Sequence, residues 1–202
     1  MEAVHAMIDD GQFSTRPLRG EFQWQVGRRT RPFLAYDMGS AALRNPEGGL
    51  LQFLWTAEYR DGAVWLGREG VEQVKLFDYP NLNSLSLTFD LAMNPCVAVD
   101  NGDNPQLWYY DSSAGGNVFF DVPGRTPFVC LDERRPELTE FSDIILTYMR
   151  GDKVYQRMQR DRYTIEHDHQ PTLPPGKGLT DKCRITAFSA TRGNRMQWRI
   201  KP

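Results

Sequence analysis

The chain of 202 residues carries 24 Lys and Arg against 26 Asp and Glu, for a formal net charge of −2. A balance this near neutral excludes the overall basic footprint by which proteins hold nucleic acid or an anionic membrane. The length allows a real β core, and the 17 Gly, 13 Pro and 12% aromatic residues suit many short strands joined by tight turns.

No apolar run approaches the roughly 18 residues of a membrane span. The opening MEAVHAMIDDGQ is acidic and has no apolar centre, so it does not read as a secretory signal, and no N-x-S/T acceptor occurs. Three cysteines at irregular spacing, without C-x-x-C, argue against a disulfide framework and fit synthesis in a reducing cytosol as buried thiols.

Residues 1–21 show little periodicity and read as an N-terminal arm. A β domain of three repeats is expected over 22–169. In the first unit, about 22–78, FQWQV alternates, PFLAYD is a buried strand and MGSAALRNPEGG is a long polar loop. LLQFLWTAEYR and AVWLGR then form a hairpin around Asp61-Gly62, and VEQVKLF closes the unit. The second unit, about 85–123, reads LSLTFD, PCVAVD, a type I′ turn at Asn101-Gly102, QLWYYD and NVFFDV. The third, about 124–169, reads RTPFVCLD, a charged loop, DIILTYM, a turn at Arg150-Gly151, KVYQRMQ and RYTIEH. Residues 170–202 hold the Pro/Gly linker QPTLPPGKGL and a hairpin, in which Met196, Trp198 and Ile200 alternate with Gln197, Arg199 and Lys201.

The repeat is carried by PFLAYD, PCVAVD and PFVCLD: a Pro, four mostly apolar residues and an Asp, at Pro32 and Asp37, Pro95 and Asp100, Pro127 and Asp132. Each is followed by an aromatic-rich segment, a turn and a Val-aromatic pair: Val64-Trp65, Val118-Phe119 and Val154-Tyr155. The fold class is therefore all-β, with three degenerate antiparallel repeats of propeller-blade size flanked by the arm and the hairpin. Closed propellers take about four to eight blades, so an open or incomplete stack is expected, with edges that other subunits cover.

Candidate chemistry is sparse. Recurrence of Asp37, Asp100 and Asp132 at one place in each repeat points to turn-capping rather than to a glycosidase pair, which needs unlike environments. His167 and His169 share a strand face but lack the third ligand of a zinc site. The cationic run with Arg150, Lys153, Arg157, Arg160 and Arg162, interleaved with Tyr155 and Tyr163, is diluted by Asp152, Asp161 and Glu166. It reads as a strand face or subunit contact, not as a nucleic-acid site. No cofactor, metal or catalytic residue is assigned. Trp65, Trp108, Tyr109, Tyr155, Arg157, Arg160, Arg162 and Trp198 are the candidate interface residues, because Trp, Tyr and Arg dominate contact hot spots.

The run DIILTYMRGDKVYQRMQRDRYTIEH, following PFVCLDERR, resembles a pattern in virion structural proteins of tailed bacteriophages, where blade-like repeats end in a D-(apolar)-Y-x-R, turn, Y-x-R-x-Q-R-D-R-Y-x-I-E run. The match covers Asp143 to Glu166, fits the first two repeats loosely and does not reach the C-terminal hairpin. The resemblance implies a tail component of nozzle, tail-tip or fibre-base type, a non-enzymatic homo-oligomer located in the virion. Its implied partners are its own copies and other tail proteins, with a host surface glycan as a further candidate. A carbohydrate-binding β module and, behind it, a glycan-active enzyme are the alternatives.

Overall fold

The computed structural model describes residues 32–33, 40–44, 54–68, 70–90, 92–132, 134, 143–171, 173, 175–191 and 195–201. The described elements are fifteen strands and one 3-10 turn, laid out as sheets that follow one another along the chain. Among the described residues no helix is long and apolar enough to cross a membrane. The arm at 1–21 and Asp37 lie outside the described residues.

The first sheet holds β1 (Pro32–Phe33), β2 (Ser40–Arg44), β3 (Leu54–Arg60), β4 (Ala63–Arg68) and β5 (Val74–Asp78). Next come β6 (Ser84–Phe89), β7 (Pro95–Asp100), β8 (Gln106–Asp111) and β9 (Gly116–Asp121) in the second sheet. The third has β10 (Arg125–Leu131), β11 (Ile144–Arg150), β12 (Lys153–Met158) and β13 (His167–Asp168). A hairpin of β14 (Arg184–Thr191) and β15 (Arg195–Lys201) ends the fold. All pairings within these sheets are antiparallel, and the fold is the all-β stack of open, blade-like repeats expected above.

The repeat is visible in register. Tyr59 lies opposite Val64, Tyr109 opposite Val118 and Met149 opposite Val154, so the central hairpins of the three sheets coincide. At these places each sheet points its Val and the residue opposite it onward, while the neighbouring pair, such as Trp108 with Phe119 or Tyr148 with Tyr155, points back. Trp108 and Phe119 meet Phe77 of the first sheet. On the opposite face Cys96, Ala98, Leu107 and Tyr109 pack with Val129, Leu131, Ile144, Leu146 and Tyr148 of the third. The third sheet in turn sends Phe128, Cys130, Ile145 and Met149 into the cluster that holds Ile185, Phe188 and Ala190 of β14. Cys96 and Cys130 therefore occupy corresponding faces of corresponding strands yet sit in different clusters. Because β7, β10 and β11 bury both faces, their runs are almost continuously apolar.

The first repeat departs from this plan. SAALR, read above as part of a loop, forms β2 and stands between β1 and β3, so Pro32 does not lie on the strand beside the aromatic segment as Pro95 and Pro127 do. Ala41 and Ala42 give no β signal by composition; pairing to β3 along the whole of Ser40–Arg44 decides the conformation. The connection at Asn101-Gly102 is likewise not a two-residue turn. It spans 101–105, with Gly102 at φ 93° and Asn101 Oδ1 accepting the amides of Asp103 and Asn104 at 3.1 and 2.7 Å.

Side chains close the outer edge of β10. Ser86 Oγ accepts the Val129 amide at 3.1 Å and donates to the Val129 carbonyl at 3.3 Å. Asp100 Oδ2 accepts the Thr126 amide at 2.8 Å, and Asp132 forms a parallel bridge with Ala190. The C-terminal hairpin docks with Met196, Trp198 and Ile200 against the core, as its alternation predicts, and Trp198 donates to Thr147 Oγ1 at 3.2 Å.

Candidate functional site

The densest polar constellation lies on the third sheet, within the stretch from Asp143 to Glu166. After β12 the chain makes the 3-10 turn Gln159–Asp161 and passes through Arg162 (φ 49°) and Tyr163 (φ 58°), both left-handed. Two such residues in succession reverse the chain and carry 164–168 back along β12, where β13 pairs with Tyr155 and Gln156. RYTIEH is thus a strap rather than a full strand. Its reversal is held by Asp143, which accepts the Arg160 amide at 3.0 Å and the Ile144 amide at 2.9 Å. Burial raises the Asp143 carboxyl above its ordinary value, opposed by these amides and by the Arg160 guanidinium 3.4 Å away.

Glu166 is the hub. Tyr148 donates its phenol to Glu166 Oε2, Arg150 reaches Oε1 at 2.6 Å and Oε2 at 3.2 Å, and Arg157 reaches Oε2 at 3.2 Å. Arg157 also donates from Nε to the Tyr148 hydroxyl at 2.9 Å and from Nη1 to the Tyr163 carbonyl at 2.7 Å. One planar guanidinium thereby spends three N–H groups on three acceptors in fixed directions, a task that suits Arg and not Lys. Tyr155 stacks on Tyr148, and the Arg150 guanidinium lies over the Tyr155 ring, 4.3 Å from its centroid. Burial by itself would raise Glu166, but hydrogen bonds from Tyr148, Arg150 and Arg157 outweigh it and hold the carboxyl below its ordinary value. Burial drives the Tyr148 phenol well above the usual range, with the Glu166 carboxylate adding to the shift.

The sign of the Glu166 shift sets an expected pH response. A carboxyl depressed in the folded state adds stability above its unfolded value of about 4.5, and that stability drains away as pH falls through the folded value. Glu166→Gln should therefore lower stability at pH 7 and flatten its decline between pH 7 and pH 3. Urea denaturation of both proteins at several pH values checks this; parallel curves would contradict it.

Beneath the strap the Tyr163 ring is fully buried against Tyr109, with its hydroxyl 3.7 Å from Cys96 Sγ. Burial pushes the Cys96 thiol up to about 12, so it is a packed thiol and not a nucleophile. Cys130 and Cys183 are also buried. Among the described residues, no three His, Cys, Asp or Glu side chains are placed to hold a metal ion. His169 tilts against Trp198, and burial lowers its pKa, with Arg134 adding to the effect.

The residues singled out in the sequence fall into three groups. Trp108 and Tyr109 are 7% and 6% exposed, so they are core anchors rather than surface contacts: both-face burial of the second sheet takes them inside. Tyr155, Arg157 and Trp198 are partly buried and engaged within the chain. Trp65, Arg160 and Arg162 remain nearer the surface, Trp65 under the Arg60 guanidinium, Arg160 beside Asp143 and Arg162 3.9 Å from Asp111. The described repeated aspartates, Asp100 and Asp132, each cap the turn that follows them, and Asp100 also reaches the third sheet through Thr126. Asp100 Oδ1 accepts the Gly102 amide at 2.6 Å, and Asp132 Oδ1 accepts the Arg134 amide at 3.1 Å while pairing with its guanidinium.

Sequence reasoning missed Ser86 and Arg125, and it gave Asp143 no role beyond its place in the resemblance. Arg125 donates to the carbonyls of Gly151, Thr180 and Cys183, fastening the linker to the third sheet. A cation at the border of two repeats was its only mark. The arrangement around Glu166 is chemically a brace: Oε2 accepts from Tyr148, Arg150 and Arg157, and Oε1 accepts from Arg150. Searches against protein-family models, curated proteins and solved structures find no match to this chain.

Proposed function

We propose that the chain is a non-enzymatic structural component of a bacteriophage tail, assembling in several copies, contacting other tail proteins, and serving host attachment or genome ejection. The reading rests on the run Asp143–Glu166, which carries the resemblance. Its patterned residues Asp143, Tyr148, Arg150, Arg157, Tyr163 and Glu166 all meet in one strap-and-brace unit. A pattern of which these six members hold the fold together suits a scaffold better than an enzyme. The stack is also open, leaving sheet edges of the sort that neighbouring subunits cover.

A sugar-stacking role gains nothing from the repeated aromatic segments, since Trp108, Tyr109 and Tyr148 point into the layers. Light scattering and negative-stain imaging of the purified chain, alone and mixed with tail proteins, test the proposal. Defined multimers or co-assemblies are expected; a monomer at all concentrations that binds no tail protein overturns it.

A further inference from the structure

The strand edges of this fold are not equally protected. The outer edge of β10 is occupied by Ser86, Asp100 and Ala190, and β12 is covered in part by β13. β5 meets β4 through a register shift and carries the Lys75–Asp78 ion pair, while Arg199 and Lys201 sit on β15. Charges and irregular pairing are how β proteins discourage edge-to-edge association.

β9 carries a single charge, Asp121 at its end, which accepts from Gln106 Nε2 at 2.9 Å. GNVFFD contains no Lys, Arg or Pro and pairs with β8 in unbroken register over Gly116–Asp121. It is the last strand of its sheet, and among the described residues no backbone or side-chain group bonds to its outer edge. Phe119 projects from it 48% exposed, resting edge-on against Phe77.

We propose that β9 is the contact between two copies of this chain, paired antiparallel about a two-fold axis through Phe119. Residues opposite one another in an antiparallel pair share a face, so the register decides the match. Centred on Phe119, the junction sets Phe119 against its counterpart, Val118 against Phe120, and the Asn117 amide against the Asp121 carboxylate, the last two pairs twice by symmetry. A shift to Val118 would set Asn117 against Phe119, and a shift to Phe120 would set Phe119 against Asp121. Only the Phe119 centre joins aromatic to aromatic, apolar to aromatic and donor to acceptor. The second copy extends the second sheet and closes its open edge. The proposal deepens the assembly reading above by naming the surface through which self-association runs.

Two sets of variants test it in the full chain, with circular dichroism as the check on folding. Asn117→Asp sets like charges opposite each other twice and should weaken self-association about tenfold in sedimentation or light scattering. Combining it with Asp121→Asn exchanges the two roles and should restore association. Phe119→Cys brings two thiols onto the axis, where opposed Cα atoms lie about 5 Å apart, so oxidation should give a linked dimer. Asn117→Cys should not link, because its counterpart lies about four residues away, roughly 13 Å. Association unchanged by Asn117→Asp, together with no cross-link at 119, would overturn the β9 contact. If multimers persist in that case, the assembly reading stands. A β9 dimer that forms no larger array and binds no tail protein would do the reverse.

Discussion

Replacing Arg157 by alanine should lower the free energy of unfolding by about 3 kcal/mol. The guanidinium is mostly enclosed, with side-chain exposure of 15%, and its loss leaves the Tyr148 hydroxyl and the Tyr163 carbonyl each short of a donor. Arg150 still holds Glu166, which keeps the loss below that of a wholly orphaned buried charge. Arg157→Lys should recover less than half, since one ammonium cannot address three acceptors in those directions. Urea titrations of the three proteins measure the effect. An alanine variant within about 0.5 kcal/mol of the parent, the range of ordinary surface changes, would mean that the strap is held by packing alone.

Gly124→Ala should cost a similar amount, about 3 kcal/mol. A Cβ at this position would lie 2.5 Å from the Met149 carbonyl oxygen and 2.5 Å from Tyr148 Cδ2. Neither neighbour can retreat easily: Met149 is paired with Arg125 and Val154, and the Tyr148 phenol is engaged by Glu166 and Arg157. The demand on Gly124 is close approach, not unusual backbone geometry. Gly116→Ala is the matched control, because a Cβ there meets nothing within 4 Å. Equal thermal stability of the two variants would refute the close-approach argument.

How much of this was legible in the sequence differs from stretch to stretch, and the differences have physical causes. Asp61-Gly62 has φ of 54° and 76°, the two positive angles of a type I′ turn, and a dipeptide of that chemistry can be read directly. The alternation of Met196, Trp198 and Ile200 was equally plain, since one face of that strand meets the core. Ser40–Arg44 was not legible: its strand character comes from its partner, and residue type contributes nothing. Asn101-Gly102 misled because the side chains of Asp100 and Asn101 capture backbone amides and hold a longer loop open. The brace could be sensed as a charged run but not assembled, because its geometry depends on two left-handed residues, Arg162 and Tyr163, that carry no glycine to announce them.

Position in space copies position in the chain: first sheet, second, third, then hairpin. During synthesis each layer can therefore be completed before the next has left the ribosome, and each finished layer offers the newcomer a ready template. The last step is the exposed one. Until residues 184–201 emerge, Phe128, Cys130, Ile145 and Met149 lack the cover that Ile185, Phe188 and Ala190 give them, so a nascent chain halted before Arg184 presents part of a bare greasy wall to solvent and should be the species most prone to clump or to recruit chaperones.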